Sequence, residues 1–162
     1  MVSGEFVVQW LHIIVSIFWF GSVMFTDFVL MPGIGKMATA SQLDFGVNVG
    51  SRISKIMTPA ASLAIVLGIV RGLLFGDIKD VNALFGTTYG LAWLVALAAA
   101  VATFAWGLFM ISPAVEKISK PTTTPEAAAA GIARIKTLVM IELVGFLVIF
   151  TMMIVMHFAG ES

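Results

Sequence analysis

The sequence predicts an all-α integral membrane protein: an antiparallel four-helix bundle, with both termini outside. Three observations carry this. Of the 162 residues, 60% are hydrophobic and 11% charged, with a mean hydropathy of +1.07; soluble domains run about 45–50% apolar and about 25% charged. The apolar residues form long runs without strict alternation, which argues against β-barrel spans. Lysine and arginine concentrate in alternate loops. A bilayer core about 30 Å thick needs about 20 apolar residues per helix, so the length suits four spans, short loops and one membrane domain over 1–162.

The first helix is expected over about 5–31, stopped by Pro32-Gly33. Its apolar run has no basic flank and no small-residue cleavage site, so it reads as a retained helix. The second is expected over about 52–75, followed by Gly76-Asp77, and the third over about 87–111, ended by Ser112-Pro113. The fourth is expected over about 125–158. Its start signal is Thr124-Pro125-Glu126: a capping hydroxyl, a proline at the first helical position and an acid at the positive end of the dipole. Pro121 to Pro125 reads as a short loop, and the chain has no convincing internal repeat.

Orientation follows from the basic residues. The first loop region carries Lys36, Arg52 and Lys55, and the third Lys117, Lys120, Arg134 and Lys136. The second has Lys79 beside Asp77 and Asp80. The first and third loops should face the cytoplasm, which makes the chain a multi-pass protein of the plasma or inner membrane. Zero net charge suggests no nucleic-acid partner, and the lack of cysteine excludes disulfides and thiolate sites.

An ionisable residue inside a span is a functional-site hypothesis by default. The candidates are His12, Asp27, Arg71, Glu142 and His157. Alternating helix directions bring His12, Arg71 and His157 to the outer half, and Asp27 and Glu142 to the inner half. His12, Ser16, Trp19, Val23 and Thr26 share one helical stripe, as do Glu142, Phe146, Ile149, Met153 and His157. Gly21, Gly68, Gly72 and Gly145 permit close approach of a helix or a flat ligand.

Two histidines at one depth suit the axial positions of a b-type haem in a helical bundle. His12 and His157 are therefore the candidate metal ligands, and Arg71 the candidate partner of a haem propionate. Trp19 lies on the same polar stripe as His12, and Trp10, Tyr89 and Trp93 are candidate edge contacts. Ordinary roles compete with each assignment. His157 suits the headgroup region, His12 a structural hydrogen bond, and Arg71 a guanidinium reaching the interface. Trp10 and Tyr89 suit an aromatic belt. Asp27 and Glu142 suit pairing with Lys36, Lys55 or Lys136. Met152 to His157, "MMIVMH", has donors for Cu(I).

The stretch from His12 through Trp19 to Gly21, followed by Met31-Pro32, resembles the first helix of the copper-resistance D family and of the related haem-dependent protoporphyrinogen oxidases. Pro59 and the Gly-rich end of helix 2, with Gly90-Leu-Ala-Trp93 opening helix 3, are compatible with that group. The resemblance implies a helical bundle in the plasma membrane with His12 as haem or metal ligand. One departure is plain: the oxidases carry a lysine in the third helix, where this chain reads Leu94-Val95-Ala96.

The functional expectation is a membrane haem b protein engaged in electron transfer or small redox chemistry near the outer face. A membrane oxidoreductase is the enzymatic form of this reading, with catalytic residues unassigned. Partners compatible with it are the bilayer, quinone, a redox protein and a second copy in a homodimer. The alternatives are a copper-binding or copper-transport protein using His12, His157 and Met156, and a non-catalytic membrane subunit.

Overall fold

The computed structural model describes residues 3–45, 48–49, 51–118, 120 and 123–160, and among them every regular element is helical. We number these α1 (Gly4–Ile34), α2 (Thr39–Phe45), α3 (Ser51–Leu74), α4 (Val81–Gly86), α5 (Thr88–Ile118) and α6 (Pro125–Ala159). Four of them, α1, α3, α5 and α6, are long and apolar enough to cross a membrane, which marks a multi-pass membrane protein. Large apolar side chains such as Phe6, Ile17, Leu74, Phe109 and Leu147 stand exposed on all four. In water such surface would drive association; in lipid it is the solvated face.

Local chemistry fixes the starts. Ser3 caps α1 by accepting from the Phe6 N–H at 3.2 Å. Thr87 caps α5 by accepting from Gly90 at 2.9 Å. Thr124 caps α6 by accepting from Ala127 at 3.3 Å, with Pro125 in the first turn as the sequence predicts. Of the loop expected from Pro121 to Pro125, Pro121 and Thr122 lie outside the described residues. Sequence reading did not anticipate α2 or α4; Asp80 caps the latter through the Ala83 N–H at 2.7 Å.

Two helices run past the prolines expected to stop them. A proline ring collides with the carbonyl four residues back, that of Phe28 for Pro32 and of Phe109 for Pro113. In both places the preceding turn is π-helical, Thr26–Leu30 and Gly107–Ile111, so that Met31 N–H reaches Thr26 and Ser112 N–H reaches Gly107. The wider turn makes room for the ring, and the helix continues to Ile34 and Ile118.

The helices pack most closely as two pairs, α1 with α3 and α5 with α6. The pairs meet in a core of Trp19, Ala61, Ala64, Phe146 and Ile149, with Phe20, Phe104 and Phe150 around it. Trp19 stands edge-on to Phe146 at 5.0 Å and to Phe104 at 6.5 Å, and Phe20 packs on Phe150 at 4.7 Å. Such pairs add about 0.5–1.5 kcal/mol each beyond burial. This aromatic layer is the middle of the bundle. One polar site lies on each side of it.

Candidate functional site

A cavity of about 650 Å³ opens on one side of the aromatic layer, lined by all four spanning helices. That volume falls within the usual range for small-molecule and cofactor sites, about 300–1,000 Å³. Its walls come from the first turns of α1 and α5 and the last turns of α3 and α6, with Trp19, Phe146 and Phe150 as floor. His12, His157 and Arg71 all line it, as do Trp19, Tyr89 and Trp93.

The polar stripe predicted on α1 is the inward face. Trp19 is buried, and His12, Ser16, Val23 and Thr26 are partly so, while Ile13, Ile17 and Phe25 between them are exposed. His12 Nδ1–H donates to the Ala64 carbonyl of α3 at 3.0 Å. With that proton on Nδ1, the Nε2 lone pair is the nitrogen left to bind a ligand or metal, as in ligating imidazoles whose other nitrogen is fixed by a hydrogen bond. The ring lies against Gly68: a Cβ there would stand 3.1 Å from His12 Cε1.

Gly68 begins a run of glycines one turn apart. A Cβ on Gly72 would collide with the Trp93 indole, and one on Gly76 would stand 2.7 Å from the Tyr89 hydroxyl. Trp93 Nε1–H donates to the Gly68 carbonyl at 3.3 Å. Gly68 and Gly72 of α3, and Gly76 just past its end, thus receive three rings, His12 from α1 and Trp93 and Tyr89 from α5. Trp10, also expected as an edge contact, does not line the cavity; at 54% exposed it suits the aromatic belt instead.

Arg71 is held by two residues that sequence reading missed. Its Nε donates to Gln9 Oε1 at 2.8 Å, and Nη2 pairs with Glu5 Oε1 at 3.4 Å. The signal was present: Glu5 and Gln9 continue the His12–Ser16–Trp19 stripe toward the helix start. Arg71 Nη1 is buried and has no hydrogen-bond partner among the described residues. A buried donor left unmet costs about 1–3 kcal/mol, more when charged, so this N–H is the cavity's best point for an acceptor. His157 lies at the far end of α6, exposed at the cavity wall, its ring 5.3 Å from that of Phe158. Met153 and Met156 line the wall beside it.

On the other side of the aromatic layer are Asp27, in the π-helical turn of α1, and Glu142 of α6. The lysine pairings expected for them are not made. Among the described residues the ion pairs are Arg71–Glu5 and Lys120–Glu116, and neither carboxyl takes part in one. The basic side chains near that end point to the bundle surface, since Lys36, Lys55 and Lys136 are all exposed.

Among the described residues no group of three or more His, Cys, Asp or Glu side chains comes together to hold a metal ion; the cavity lining includes two imidazoles, two thioethers, the Glu5 carboxylate paired with Arg71 and the Asp77 carboxylate. The chain matches no protein-family model, and comparison with curated proteins and with solved structures finds no match.

Proposed function

We propose that this chain is a b-type haem protein of the plasma or inner membrane that transfers electrons near the outer face. The observation that carries the reading is the His12 site. An imidazole anchored through Nδ1–H on a backbone carbonyl shares one cavity with a second histidine and with an arginine that has a donor to spare.

The residues present fit the group. His12 and His157 would supply nitrogen ligands, and Arg71 Nη1 would donate to a propionate while Glu5 and Gln9 hold the guanidinium in place. Trp19 forms part of the floor, and Trp93 and Tyr89 form an aromatic wall against the glycines of α3. Bound there, haem would supply one-electron transfer. With both imidazoles engaged, the group would supply electron transfer rather than oxygen chemistry. Quinone or a redox protein is the matching exchange partner, and a homodimer is compatible with the exposed helix faces.

The reading takes the helices as antiparallel with both termini outside. Its supports are the basic first and third loops and a cavity wall drawn from alternate helix ends. The likeness of the first helix to the copper-resistance D and haem-dependent oxidase group supports the same ligand.

The test is the visible spectrum of the purified full chain in detergent. A Soret band with sharp reduced α and β bands is expected. A colourless protein with stoichiometric copper would overturn the reading in favour of the copper alternative. That alternative has its own observation, Met153, Met156 and His157 together on the cavity wall, a soft donor set suited to Cu(I).

A further inference from the structure

The last turns of α6 separate two hollows. Met153, Met156 and His157 face the cavity already described. Ile154 and Phe158, with Thr87 and Thr88 at the start of α5, line a second hollow of about 600 Å³. Ile154 is 58% exposed and Phe158 65%, so this second hollow is a groove open to lipid between α5 and α6. Asp77 and Tyr89 line both, so groove and cavity meet at these two side chains.

The groove is apolar along α6 and polar where it meets the cavity. The Thr87 hydroxyl is already engaged, donating to the Ala83 carbonyl at 2.6 Å and accepting from Gly90 at 2.9 Å. Among the described residues the Tyr89 hydroxyl and the Asp77 carboxylate are held in no hydrogen bond or ion pair. Arg71 is taken by Glu5 and Gln9, and Lys79 is exposed. Asp77 Oδ2 lies 3.9 Å from where a Cβ on Gly160 would stand, and Gly160 is the C-cap of α6. A helix C-terminus carries about half a negative charge. Carboxylate and helix end together repel an anionic head, such as a phosphate or a fatty-acid carboxylate, and attract a neutral head that donates hydrogen bonds. Among neutral lipids that carry hydroxyls, a quinol is the kind that exchanges electrons, and the meeting point borders the proposed haem cavity. We propose that the α5–α6 groove docks a lipid-soluble quinol, its tail along Ile154 and Phe158, one hydroxyl donating to Asp77 and the Tyr89 hydroxyl donating to a ring oxygen. This names the exchange partner of the haem reading and rests on that reading for its role, though not for the binding itself.

The test is binding of decylbenzoquinol, and of its oxidised quinone, to the full chain in phosphatidylcholine nanodiscs, measured above empty nanodiscs. The quinol should bind saturably and about 10-fold tighter than the quinone, the gain of a donor facing a charged acceptor. Asp77→Ala should bring the two forms together; Asp77 is exposed, so the fold should tolerate the change. Ile154→Trp should weaken both forms by filling the groove. No saturable binding, a quinone that binds as tightly as the quinol, or a difference that persists in Asp77→Ala would overturn the proposal. Displacement of the quinol by phosphatidylglycerol would overturn it in favour of a phospholipid. The visible spectrum reads the haem separately. A colourless chain that binds the quinol would keep the groove assignment and lose the haem, and a pigmented chain without saturable binding would overturn the groove assignment alone.

Discussion

When Pro32 is laid on Pro113, α1 and α5 correspond along their length. Each has a π-helical turn just before its proline. Phe28 and Phe109 stand one turn before it, Lys36 and Lys117 one turn after it, and His12 falls on Trp93. The partner helices respond differently. In the first half, the glycine edge of α3 gives room to rings, with His12 against Gly68 and its counterpart Trp93 against Gly72. In the second half, α6 uses glycine to draw α5 close: Gly145 sits against Thr103 and Gly131 against Ile118. One plan serves a cavity wall in the first case and tight helix contact in the second. A small residue in a membrane helix therefore has no single meaning; it is set by what the facing helix presents.

Substitutions can break this comparison. The largest effect is expected for His12→Ala, which should abolish the pigment; pigment retained at wild-type level would remove His12 as a ligand. Arg71→Gln should come next. It removes a charge-assisted donor worth about 1.5–3 kcal/mol, roughly 10–100-fold in haem affinity, measurable by haem transfer to an excess acceptor.

The glycines sharpen the contrast. Gly145→Ala should lower stability by about 1–3 kcal/mol through overpacking against Thr103 and leave the spectrum unchanged. Gly68→Ala should do the converse, disturbing the spectrum through His12 with a smaller loss of thermal midpoint. Equal behaviour in both assays would show that the halves do not divide the work. The smallest effect is expected for Pro113→Ala, where restoring an N–H lets a regular turn replace the π-helical one. A stability change within about 1 kcal/mol is expected, read as a small shift in the midpoint of thermal unfolding.

Part of the site is legible in the sequence. His12 and Trp19 show as inward-facing because a polar stripe at helical spacing in an apolar span has one place to point. His12, Arg71 and His157 reach one cavity because span lengths fix their depths. Glu5 and Gln9 lay on the same stripe, yet sit so near the helix start that they pass for surface residues. The correspondence of α1 with α5 was hidden because few identities carry it; the shared feature is a backbone turn ahead of a proline.

By itself the sequence determined the four spans, the cap at Thr124 and the inward face of α1, since these follow from hydropathy, local hydrogen bonding and a 3.6-residue period. It also suggested that Asp27 and Glu142 would find lysines. Tertiary structure decided otherwise. It aimed the glycine edge of α3 at aromatic rings, left Arg71 one unmet donor, and left Asp27 and Glu142 outside the ion pairs of the described residues. Those outcomes depend on how helices are rotated and spaced against one another, to within an ångström or two, and spacing along a single helix does not encode that.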